Sequence, residues 1–75
     1  MTAQQYLEQC ADRALAYFDA GKHATAIACF ISDVRRYEGT AHIAEEDMII
    51  LILETGYQQG RGAFRDAMLG FGVSD

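Results

Sequence analysis

The sequence predicts an all-α fold: a compact four-helix domain with an antiparallel helical hairpin around Gly21 and a central apolar third helix. Three observations predict it. Apolar side chains recur at spacings of three and four along residues 3–20 and again along 23–37. Gly21 falls between these two segments, where a left-handed residue would close a helix. Proline is absent, so no helix is interrupted by ring clash. The 75 residues, 51% of them hydrophobic, form a single helical domain, 1–75, with enough apolar side chain for one core.

The first helix carries Ala3, Leu7, Ala11, Ala14 and Phe18 on one face, with Cys10 and Leu15 widening the stripe. Thr2 is its expected N-cap, and Gln5, three residues on, completes a capping box. The second helix, 23–37, repeats the pattern at Ile27, Phe30, Ile31, Val34 and Tyr37 and ends at Gly39. Arg35 and Arg36 then fall in its last turn, where cations meet the helix dipole favourably. Asp33 reads as a solvated-face residue facing Arg36 and Tyr37.

The third segment, 40–58, starts at Thr40 or His42, with its helix over 44–57 and Glu45, Glu46 and Asp47 in the opening turn. Met48-Ile49-Ile50-Leu51-Ile52-Leu53 has no amphipathic gap. Isoleucine favours strands, but the flanking residues are helix formers and no second strand exists to pair with this one. A helix apolar all round must be covered on most sides, by the other helices or by a second subunit. Gly56, Gly60 and Gly62 read as a flexible connection to a fourth helix, 62–70, with Phe64, Ala67, Met68 and Phe71 on one face.

Charge narrows the function classes. Eleven acidic and six basic side chains give a net charge of −5. Residues 38–60 contain Glu38, Glu45, Glu46, Asp47 and Glu54 and no Lys or Arg. Direct nucleic-acid binding needs a phosphate-neutralising surface, and an anionic membrane needs a basic one; neither is expected here. The six-residue apolar run is far short of the ~20 residues that span a bilayer. Residues 1–5 show neither the basic nor the apolar segment of a secretory leader, so the expected compartment is the cytoplasm. Cys10 and Cys29 then read as free thiols, outside any CxxC or metal-ligand spacing.

Residues 12–34 resemble one tetratricopeptide-type helical hairpin. Ala16, Tyr17 and Phe18 match the small and aromatic positions of a first helix, Gly21 the turn, and Ala26, Ile27 and Phe30 the second helix. The resemblance implies close approach of the two helices at Ala26, with Tyr17, Phe18 and Phe30 filling the space beside it. Such repeats recur at about 34 residues; residues 41–75 hold no second copy, and the typical tryptophan and closing proline are missing. The whole chain, notably Ala26-Ile27 and Thr40-Ala41-His42-Ile43, is also similar to short uncharacterised helical proteins of actinobacteria and their phages, which implies no activity.

No catalytic, cofactor or metal set emerges. His42, Glu45 and Glu46 offer a nitrogen and two carboxylates, but a metal would want further ligands from another helix, and His23 sits at the far turn. Cys29 and His23, six residues apart, do not share a helical face as nucleophile and base. Arg61 and Arg65 share a face suited to an anion or to nearby acids such as Asp66 and Glu54. Candidate contact residues are therefore Met48, Ile49 and Ile52, with Glu45 and Glu46 beside them. The expected function is that of a small acidic non-enzymatic interaction or regulatory protein without cofactor. It is expected to bind a protein partner and to form homo-oligomers through the apolar helix. The alternatives are a nucleic-acid-associated transcriptional regulator and a small-ligand carrier using Tyr6, Tyr17, Phe18, Tyr37, Tyr57 and Phe64.

Overall fold

The computed structural model describes residues 1–73, which form four α-helices and one 3₁₀ turn, with no strand among them. Helix α1 spans Ala3–Asp19 and α2 spans His23–Val34. The 3₁₀ turn covers Ala41–Glu45, α3 spans Ile49–Gln59 and α4 spans Arg61–Leu69. Helices α1 and α2 pack as one hairpin, α3 and α4 as a second, and contact between α1 and α4 joins them. The expected all-α domain is what forms.

Both ends of α1 are closed by local hydrogen bonds. The Gln5 amide donates to Thr2 Oγ1 at 3.1 Å, and the Thr2 amide donates to Gln5 Oε1 at 3.0 Å, completing the capping box. At the other end Gly21 takes φ +75°. Its amide donates to the Phe18 carbonyl and that of Lys22 to the Tyr17 carbonyl, each at 2.9 Å. This pairing is a Schellman motif, and its left-handed residue is the reason for glycine at the turn.

Helix α2 ends at Val34, short of the expected 37. The buried Thr40 hydroxyl donates to the Val34 carbonyl at 2.7 Å, satisfying one of the carbonyls that a helix end leaves open. Arg35 is the C-cap residue of α2 and Arg36 follows it, so neither lies in the last turn as expected. Tyr37 leaves the helix, stacks on Tyr6 with ring centroids 4.8 Å apart, and donates its hydroxyl to the Met1 carbonyl.

The third segment is divided. Ile43 is fully buried from the 3₁₀ turn, and Glu46 is extended, at φ −63° and ψ 129°. Helix α3 therefore starts at Ile49, and Glu45, Glu46 and Asp47 precede it instead of forming its first turn. The expected glycine-rich connection shrinks to Gly60, whose φ of +116° only glycine adopts readily. Gly56 lies inside α3 and Gly62 inside α4.

The core is assembled from Leu7, Cys10, Ala11, Ala14 and Leu15 of α1, Ala26, Ile27, Phe30 and Val34 of α2, and Ile43, Ile49, Leu53, Phe64 and Met68 from the second half. Phe18, Tyr57 and Phe64 meet where the two hairpins join, with centroids 4.6–5.8 Å apart.

Candidate functional site

Helix α3 commits only one side to this core. Ile49 and Leu53, four residues apart, are buried, and Gly56 continues that face. The remaining apolar residues of the run are in water: Met48 is 54% exposed, Ile50 60%, Leu51 56% and Ile52 40%. Of the two covers expected for this segment, the other helices and a second subunit, the other helices supply only one side within the chain. Two hairpins of this size present α4 to one flank of α3 and leave its outer arc uncovered. Of the candidate contact residues, Met48 and Ile52 lie on the open surface, as do Glu45 and Glu46, whereas Ile49 is 6% exposed and belongs to the core.

Beside the exposed arc runs an open, mostly apolar groove of about 600 Å³ between α3 and α4. Leu51, Ile52, Thr55 and Gln59 form its α3 wall. Its floor is small: Gly56 packs so closely on α4 that a Cβ there would stand 2.9 Å from Ala67 Cβ and 3.1 Å from the Ala63 carbonyl oxygen. The groove exists because small residues draw the two backbones together while the larger Leu51 and Ile52 stand proud beside them. Asp66 is the charged residue of the lining. None of the aromatic residues considered for a ligand pocket lines it: Tyr6 and Tyr37 stack together, and Phe18, Tyr57 and Phe64 form a separate cluster.

The polar clusters serve packing. Asp33 is buried, and its Oδ2 accepts from Arg13 Nη1 at 2.9 Å and from Cys29 Sγ at 3.4 Å. Its backbone carbonyl accepts from the Tyr6 hydroxyl at 2.7 Å. The solvated position expected for Asp33 is replaced by this link between α1 and α2; the signal for it was the unmatched Arg13 on α1. Burial, and next the Asp33 carboxylate, push the Cys10 thiol up to about 11. Burial and the hydrogen bond to Asp33 push the Cys29 thiol up. Both cysteines are free. A thiol in such surroundings is a weak nucleophile because little of it is thiolate near neutral pH.

His23 stacks on Tyr57, centroids 4.1 Å apart, and its Nε2 stands 2.8 Å from Glu54 Oε2, close but out of line for a hydrogen bond. His42 Nε2 contacts the Gly72 carbonyl, which fastens the residues after α4 to the 3₁₀ turn. Arg61 binds Asp19 through Nε at 2.9 Å, so it tethers α4 to α1. Among the described residues no three His, Cys, Asp or Glu side chains gather as metal ligands, and no helix is long and apolar enough to cross a membrane.

Comparison of the chain with protein-family models, with curated proteins and with solved structures gives no match.

Proposed function

We propose that this protein is a non-enzymatic interaction domain that works by burying the outer face of α3 against another polypeptide, a second copy of itself included. The observation that carries this reading is Met48, Leu51 and Ile52, three large apolar side chains 40–56% exposed along one side of α3, the last two lining the apolar groove. Isolated exposed apolar side chains are ordinary, but a contiguous group next to a concave wall marks a contact site. The raised thiols argue against a cysteine nucleophile, since neither is poised for attack.

The test is a comparison of complexes formed by the tagged full chain and by its Leu51→Glu variant. Leu51 is 56% exposed and is not one of the buried core residues, so the variant is expected to keep the wild-type circular dichroism spectrum and a melting temperature near that of wild type. The reading requires that at least one complex, homomeric or heteromeric, be lost in the variant. If every complex survives the charge, α3 is not the working surface.

A further inference from the structure

The outer face of α3 has a polarity along its length that its own copy would satisfy, a property that rests on the interaction reading above. Met48, Leu51, Ile52, Thr55, Gln58 and Gln59 are all exposed. Their spacing of three, four and seven places them in one seam along a helix. The seam carries no charge. Its amino-terminal half is large and apolar, its carboxy-terminal half ends in two amides, and the acids Glu45, Glu46 and Asp47 stand just before its apolar end. We propose that two copies of the chain pair across a two-fold axis with their α3 helices antiparallel, each seam lying in the other's α3–α4 groove.

Three features select this arrangement. A two-fold contact must be self-complementary, because a residue that touches a second residue on the partner is touched by it in return. An uncharged seam meets that condition without setting like charges together. Antiparallel alignment about the centre of the seam brings the partner's Leu51 and Ile52 over Thr55 and the small floor made by Gly56, Ala63 and Ala67, so that large side chains meet a depression. The same alignment places the Gln58 and Gln59 amides, which are hydrogen-bond donors, beside the partner's Glu46 and Asp47 carboxylates. Parallel pairing would instead set the two acidic triplets side by side. Asp66, exposed in the free chain, is the charged residue at the groove.

The size of the molecule bounds the contact. A standard interface takes about 800 Å² from each partner, which would be about a fifth of this chain's 4331 Å² surface. One face of a body measuring 31 × 24 × 18 Å supplies that at most.

Sedimentation equilibrium at low and moderate salt tests the pairing on the full chain and on Leu51→Glu, Gln59→Lys and Gln59→Glu. All three substitutions are at exposed positions, and circular dichroism checks that each variant is folded. The wild type is expected to be a monomer–dimer equilibrium, Leu51→Glu a folded monomer, and Gln59→Lys severalfold tighter than wild type. Gln59→Glu is expected to be weaker, and adding Asp47→Asn to Gln59→Lys should reverse the gain. A dimer that Gln59→Lys weakens overturns the antiparallel arrangement, since parallel helices would place the two lysines together. A wild type that stays monomeric to millimolar concentration overturns self-pairing but leaves the α3 surface open to a different polypeptide. A dimer indifferent to Leu51→Glu overturns both the pairing and the interaction reading.

Discussion

Asp33 ties α2 to α1 through both its carboxylate and its backbone carbonyl. One buried carboxylate receives Arg13 and Cys29, and the carbonyl of the same residue receives Tyr6. Arg13 is itself 56% exposed, so the energetic weight lies with the acid, which would be left buried without its cation. Arg13→Ala is therefore expected to cost about 2 kcal/mol in urea unfolding, the scale of a hydrogen bond to a charged group. Arg61→Ala should change the midpoint less, because both members of its pair with Asp19 stand about half in water. Cys10 adds a pH dependence. Its thiol ionises near 9.0 when unperturbed and at about 11 in the fold, so between these values only the unfolded chain releases the proton. Stability from this group is intact below pH 9 and declines as pH rises towards 11. Cys10→Ser, tested by thermal unfolding across that range, should flatten the decline. Under native conditions iodoacetamide should modify the half-buried Cys29 before the buried Cys10.

At the level of elements, the two hairpins are closed by different devices. The first uses a Schellman turn at Gly21; the second uses a single linking residue, Gly60, and close packing at Gly56. Phe30 is fully buried at the centre of the first, and Phe30→Ala should cost about 3–5 kcal/mol, enough to leave a domain this small largely unfolded. Gly56→Ala is expected to destabilise by about 1–3 kcal/mol despite the better helix propensity of alanine, because the added methyl meets Ala67 and the Ala63 backbone. Thermal melts of both variants provide the check. Helix α1 was legible to within one residue: a capping box, an apolar stripe and a closing glycine predict 3–20, and the helix spans Ala3–Asp19. The end of α2 was not, because its stop is a tertiary device, the Thr40 hydroxyl reaching back six residues to Val34. The division of residues 40–58 was hidden for a related reason. Ala44-Glu45-Glu46 are good helix formers, yet Ile43 must enter the core, and the chain turns at Glu46 before α3 can begin.

For the molecule as a whole, the question is what lies on the outer face of α3. Sequence alone exposed the apolar run and the choice between core burial and a contact surface, but not the answer. That answer depends on which flank of α3 the other helices reach. The structure divides the run: Ile49 and Leu53 belong to the core, and Met48, Ile50, Leu51 and Ile52 stand exposed. Adjacent isoleucines, Ile49 and Ile50, are thus expected to respond oppositely to a charge. Ile49→Glu should unfold the domain, and Ile50→Glu should leave its melting temperature within a few degrees of wild type. The acidic balance of residues 38–60 acts on the same surface by disfavouring any pairing that juxtaposes Glu45, Glu46 and Asp47 with their copies. The most direct test is molar mass in solution by light scattering, on wild type and Leu51→Glu across a concentration series. A wild-type mass that rises toward that of a dimer, with a folded monomer for the variant, is the result expected if the α3 face is a contact surface used by the chain itself. Equal concentration dependence in the two proteins, with both folded, would contradict it.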